Sequence, residues 1–158
     1  MRALFSRVWA MPNADTFSVP PIGAFVRRYL RGVSIDPFAK NNRWATYTND
    51  LNPTTRAEYH MDAEEFLLLL SRRGIEADCI ILDPPYSPRQ IIESYASVGL
   101  KAGMKDTQNA RLYKRVRDAA RVLCGPGTIV LSFGWNSAGM GKGFDRVETL
   151  LVAHGGAH

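Results

Sequence analysis

A chain of 158 residues with 46% hydrophobic content is sized for one domain with a real core, and no separate second domain is expected within 1–158. Its net charge of +5, carried largely by arginine, suits a phosphate-rich partner without requiring one. No stretch is long and apolar enough to span a membrane, and no signal-peptide apolar segment follows Arg2 and Arg7, so a cytoplasmic protein is expected.

Residues 1–20 read as irregular, broken by Pro12, Pro20 and Pro21. Ile22, Phe25, Val26, Tyr29 and Leu30 recur at helical spacing and predict a helix over 21–31 that ends near Gly32. Val33-Ser34-Ile35 predicts a short strand, with Asp36-Pro37-Phe38 at its end. Residues 44–48 alternate as a second strand leading to Asn49-Asp50, and Glu58-Tyr59-His60-Met61 predicts a third.

Asp62-Ala63-Glu64-Glu65 has the spacing of a capping box, and Phe66 to Leu70 supplies the apolar face of the helix it opens. Gly74 is the expected stop. Residues 78–82 form an apolar run that reads as a buried strand. Ser87 to Gln90 is a second capping box with proline at the first helical position, and Ile91, Ile92, Tyr95 and Val98 form the buried stripe after it. Residues 99–108 lack periodicity and read as a mobile loop. A long helix is predicted over 109–124, with Leu112, Val116, Ala119 and Leu123 inward, stopped by Gly125-Pro126-Gly127. Strands over 128–133 and 147–153 complete an alternating α/β pattern, which predicts a mainly parallel sheet. Cys79 and Cys124 read as small buried hydrophobes, since their spacing supports neither a disulfide nor a metal site.

The segment Asp83-Pro84-Pro85-Tyr86 stands between a strand and a helix start. A carboxylate, two prolines and an aromatic ring therefore sit at the carboxyl end of a strand, where open α/β sheets bind ligands. The four residues resemble the D-P-P-Y signature of amino-group methyltransferases. These enzymes use S-adenosylmethionine to methylate an exocyclic amine of adenine, less often cytosine, usually in DNA. An aromatic amine is a poor nucleophile, because its lone pair is delocalised into the ring. The resemblance implies that the Asp83 side chain and the Pro84 carbonyl accept its two N–H bonds and turn the lone pair toward the methyl group. Pro85 fixes the turn, and Tyr86 stacks on the extruded base.

The same resemblance covers most of the chain as an order of elements, and it implies a Rossmann-like fold. Asp36-Pro37-Phe38 resembles the D-P-F opening of the cofactor motif. Asp50 falls where the family places an acid on the ribose hydroxyls. Asp62 with Ala63 falls where the family places its next element, which contacts the adenine of the cofactor; Asp62 also reads strongly as an N-cap, and it can do both jobs. The family follows D-P-F with a glycine-rich turn and a helix. Here Ala39-Lys40-Asn41-Asn42 follows, and Asp50 comes too soon after Asp36 for a helical crossover of roughly ten to twelve residues plus strand ends. The first crossovers are expected to be turns, with Asn41 and Asn42 taking the left-handed positions of the glycines.

Lys101, Lys105, Arg111, Lys114, Arg115, Arg117 and Arg121 form a basic run, either a solvated face or a grip on phosphate. Trp135 is either a base-pocket residue or a core aromatic, and His154 and His158 fall in the terminal turn. The last strand is expected to leave an incomplete hairpin or an open edge. Target recognition is expected from loops, a second copy or a partner subunit. The leading expectation is an adenine-N6 methyltransferase acting on DNA. RNA is the alternative substrate, and a degenerate nucleic-acid-binding subunit is the alternative to an enzyme.

Overall fold

The computed structural model describes residues 2–85, 88–96, 99, 101, 109–134 and 138–155. In chain order the elements are β1 (Leu4–Trp9), α1 (Pro20–Tyr29), β2 (Ser34–Asp36), β3 (Tyr47–Thr48), α2 (Ala63–Arg72), β4 (Ala77–Leu82), α3 (Pro88–Ala96), α4 (Asn109–Val122), β5 (Cys124–Ser132) and β6 (Glu148–Ala153). They fall into two compact units. One is Arg31–Trp135; the other joins Met1–Leu30 to Asn136–His158.

The larger unit is built on a four-stranded parallel sheet in the order β3-β2-β4-β5. An α/β fold with a parallel sheet is therefore present, as the alternation of elements predicts. β4 lies between two neighbours, which explains its apolar run. A parallel strand covered on both faces has no polar side to show, and Cys79, Ile80, Ile81 and Leu82 are all buried. Ile80 is the register point, set against Ile35 on one side and Val130 on the other.

The connections around β3 are turns. Residues 37–46 join β2 to β3 with no helix, and residues 49–58 are equally irregular. The reduced crossovers expected from the spacing are present. The predicted strands at 44–48 and 58–61 shrink, however, to Tyr47–Thr48 and a parallel bridge between Asn49 and Tyr59. The left-handed residue in the first turn is Lys40, at φ 52°, rather than Asn41 or Asn42. The asparagines brace the turns through their side chains instead. Asn41 Oδ1 accepts from the Arg56 amide and Asn42 Oδ1 from the Trp44 amide, both at 2.9 Å.

α2 begins and ends by local chemistry. Asp62 Oδ1 accepts from the Glu64 and Glu65 amides at 2.9 and 3.3 Å, satisfying two of the orphan donors of the first turn. At the far end Gly74 takes φ 73°, while the Ile75 amide reaches the Leu70 carbonyl and the Gly74 amide reaches that of Ser71. This is a Schellman stop. Phe66, Leu67 and Leu70 are fully buried on its inner face. α4 buries Leu112, Val116, Ala119 and Ala120. In α3 Ile91 is buried, but Ile92 is 49% exposed and leaves the predicted stripe.

Gly125-Pro126-Gly127 does not lie outside the sheet. β5 already begins at Cys124, and its register against β4 shifts between Ala77 and Cys79. The three residues are absorbed in a bulge, where glycine and proline are tolerated in strands. Beside it, Asp78 Oδ2 accepts from the Val33 amide at 2.7 Å. That carboxylate fills the space a side chain on Gly32 would need: a Cβ there would stand 2.0 Å from Asp78 Oδ2, and Gly32 has φ 51°.

The smaller unit corrects the reading of residues 1–20 as irregular. β1 runs parallel to β6 from Leu4 opposite Glu148 to Trp9 opposite Ala153. β6 thus finds a distant parallel partner rather than half of a hairpin. Leu4, Phe5 and Trp9 remain 63%, 69% and 65% exposed. Within this unit α1 is tied to β6 through Glu148, which accepts from Arg28 at 2.7 Å and from the Tyr29 hydroxyl. Both donors hold the Glu148 carboxyl below its usual range, the tyrosine contributing most.

Candidate active site

The strand order reverses next to β2. From β2 the chain moves outward to β3 and the Tyr59 bridge, then returns to place β4 on the other flank of β2 and β5 beyond it. In open parallel sheets the crevice outside the carboxyl ends at such a reversal is where ligands bind. Asp36 ends β2, and Asp83 follows the last residue of β4. The two carboxylates predicted to serve cofactor and catalysis therefore flank the reversal.

Asp36 is almost wholly buried, with 1% of its surface exposed. Its Oδ1 accepts from the Phe38 amide at 3.1 Å. Burial pushes its carboxyl up to about 8, against the pull of that amide, and the charges of Asp83 and Asp50 push the same way. Removing a carboxylate from water disfavours the ion, and like charges nearby disfavour it further.

Next to Asp36, Asn49 is fully buried and hydrogen-bonded at both ends of its amide. Its Nδ2 donates to the Pro37 and Met61 carbonyls at 3.1 and 2.9 Å, and its Oδ1 accepts from the Met61 amide at 3.1 Å. One side chain thereby fixes the ends of the β2 and Tyr59 segments. Asp50 braces the turns: Oδ2 accepts from the Lys40 amide at 3.0 Å and Oδ1 from the Asn52 amide at 2.9 Å.

A cleft opens over these strand ends. Pro37, Phe38, Asp50, Asp62 and Pro85 line it, together with Asn49, Leu51, Met61, Ala63, Tyr95 and Leu112. Four of the five expected cofactor residues thus meet one residue of the expected catalytic turn, and the fifth, Asp36, is buried at the β2 end. Pro84 is buried, while Asp83 and Pro85 are half-buried. Tyr86 lies outside the described residues. The cleft encloses about 50 Å³, less than the roughly 300–1,000 Å³ of most ligand pockets. A nucleoside-sized group requires its walls to part. The lining suits such a group chemically, since Asp50 and Asp62 offer acceptors for hydroxyls and Phe38, Leu51, Met61 and Leu112 offer flat apolar walls.

Sequence reasoning passed over Asn49, Met61 and Leu112 as cleft residues. Asn49 stood in plain view before Asp50, but its role depends on carbonyls brought from Pro37 and Met61 by the fold. Leu112 fits the inner stripe of its helix, and nothing in that stripe marks the residue facing a cleft.

The basic run is less uniform than its sequence. Lys101 and Arg111 are exposed. Lys114 pairs with Asp118 at 2.6 Å, and Arg115 approaches Glu64 of α2 at 3.5 Å. Arg117 lies over the Tyr113 ring at 4.9 Å. Lys105, Trp135 and His158 lie outside the described residues, and His154 is exposed after β6. Cys79 and Cys124 are free, and burial pushes both thiols up to about 11. Among the described residues no cluster of His, Cys, Asp or Glu could hold a metal ion, and no helix is long and apolar enough to cross a membrane. No family model, curated protein or solved structure matches this chain.

Proposed function

We propose that this chain is an S-adenosylmethionine-dependent methyltransferase acting on the exocyclic N6 of adenine in DNA. The observation that carries the proposal is the placement of Asp36 and the Asp83-Pro84-Pro85 turn at adjoining carboxyl ends, on either side of the reversal in strand order. Counted from β2, with the Tyr59 bridge as third strand, the order is 3-2-1-4-5. Those are the first five positions of the classic doubly wound order 3-2-1-4-5-6, which supports a Rossmann-like reading of the parallel sheet.

S-adenosylmethionine supplies an electrophilic methyl group. In this proposal Asp50 and Asp62 accept from its ribose hydroxyls, and Phe38, Leu51 and Met61 wall its adenine. Asp83 accepts one N–H of the target amine and the Pro84 carbonyl the other, which frees the nitrogen lone pair. Positive charge then develops on that nitrogen beside the Asp83 carboxylate. Catalysis rests on positioning and on this fixed negative charge. The methylated nitrogen is acidic, so its proton leaves without a strong base. Arg111 and Lys101 would meet the phosphate backbone, and target recognition falls to loops or to a second subunit.

Transfer of labelled methyl from S-adenosylmethionine to an adenine-containing duplex tests the proposal, with a matched RNA run beside it. Asp83→Ala is expected to lower transfer by about 10²–10³-fold, the scale of removing one charge-stabilising group, and to leave cofactor binding largely intact. Equal loss of both would remove Asp83 from the catalytic role. The small cleft favours one other reading, a non-catalytic nucleic-acid-binding subunit; duplex binding without cofactor binding would establish it.

A further inference from the structure

Asp36 is an unusual group to find at a ligand-binding strand end. It is 1% exposed, and among the described residues the Phe38 amide is the one donor that reaches it. Its electrostatic neighbours are Asp83, after β4, and Asp50, after β3, both acidic. Cys79 on β4 is a further titratable neighbour, itself a buried thiol held neutral. Asp78, on the same strand, and Arg31, before β2, act on Cys79. A buried carboxylate with one hydrogen bond and two acidic neighbours lacks the compensation that a buried charge needs. Among the described residues, then, no positive charge compensates Asp36. The reversal in strand order says where such a charge would arrive. β2 and β4 are hydrogen-bonded neighbours about 5 Å apart, with Ile35 opposite Ile80, so Asp83 lies just beyond Asp36 on the adjoining strand. A methyl donor must place its sulfonium close to the nitrogen held by Asp83, which brings that cation to the Asp36 side of the same crevice.

We infer that Asp36 is protonated in the free protein and releases its proton to solvent as a sulfonium cation enters, so that the site selects the charged methyl donor over its neutral thioether product. This deepens the methyltransferase reading and rests on it. The raised carboxyl supports the inference: about 8 lies above neutral pH, so the proton is present at pH 7 in the absence of ligand. Below that value each unit of pH rise makes the ionised form up to tenfold more available, so affinity for the cation climbs with pH and levels above about 8. A neutral thioether gains nothing from the ionised form. The preference for donor over product therefore widens as pH rises, which relieves product inhibition.

The test is calorimetric titration of the full chain with S-adenosylmethionine and with S-adenosylhomocysteine, at pH 7, in two buffers of different ionisation heat. The expected result is release of close to one proton per S-adenosylmethionine bound and markedly fewer for S-adenosylhomocysteine. Asp36→Asn, which keeps the shape of the protonated acid, is expected to release none and to lose the donor preference. Equal proton release for both ligands, or unchanged release in Asp36→Asn, overturns the inference alone and leaves the methyltransferase reading standing. Failure of both ligands to bind the wild-type chain overturns that reading and the inference with it. Chemical unfolding of the ligand-free chain is a second readout. The raised carboxyl stabilises the fold below its ordinary value of 3.8, and that contribution is lost as pH rises toward 8, so wild type should weaken relative to Asp36→Asn across this window. Parallel pH profiles for the two proteins would also overturn it.

Discussion

The two sheets of this protein are both parallel, yet they treat their side chains in opposite ways. In the four-stranded sheet, Ile35 and the last four residues of β4 are buried. In the β1–β6 pair, every residue of β1 is at least partly exposed, and three large apolar side chains stand mostly in water. Parallel strands ordinarily need cover on both faces, and a two-stranded sheet is marginal on its own. The comparison teaches that strand content alone does not locate a rigid platform. The candidate site sits on the sheet whose middle strands are covered, and that cover is what can hold Asp36 and Asp83 in fixed positions.

Substitutions can break this contrast or sharpen it. The largest stability effect is expected at Phe66, fully buried on α2 and packed 5.3 Å from the Tyr59 ring. Phe66→Ala should cost roughly 3–5 kcal/mol, read by urea unfolding, and should loosen the Tyr59 edge of the cleft. Asp62→Ala removes the N-cap of α2 and should cost about 1 kcal/mol, together with any role Asp62 plays toward a ligand. A double readout, unfolding midpoint and cofactor affinity, separates those two functions of one carboxylate. The smallest effect is expected at Phe5, 69% exposed on β1. Phe5→Ala should stay within about 0.5 kcal/mol. A loss of several kcal/mol there would mean that the β1–β6 pair is covered in solution, and the contrast between the sheets would collapse.

What was legible in the sequence follows the range of the interactions involved. The N-cap at Asp62 and the stop at Gly74 are set by neighbours a few residues away, and both stand where the pattern put them. β4 was legible because a strand buried on both faces is apolar throughout. The missing crossover helices followed from arithmetic on the Asp36–Asp50 spacing. β1 was not legible, because its partner among the described residues is β6, at the other end of the chain, and strand propensity depends on the partner. Gly125-Pro126-Gly127 looked like a stop, since local chemistry does not distinguish a turn from a bulge. At the candidate site, the motif marked two acids, and both stand at strand ends. Asn49 was not marked, because its value lies in satisfying backbone groups that only the fold brings to it.

Two acids at the start of β4 have a consequence for how this sequence can change. Asp78 lies where a side chain at position 32 would be, and Glu76 lies where one at position 125 would be. At position 125 the obstacle is the tip of an exposed glutamate, which can swing away. At position 32 it includes the whole Asp78 side chain, down to a Cβ only 2.9 Å away, and the backbone there is left-handed. Homologous chains that keep this fold should therefore carry glycine at 32 whenever they carry an acid at 78, and lose both together. Position 125 should drift independently of 76. Covariation between 32 and 78, two positions that do not line the cleft, would then mark the fold's lineage more faithfully than the acids that do.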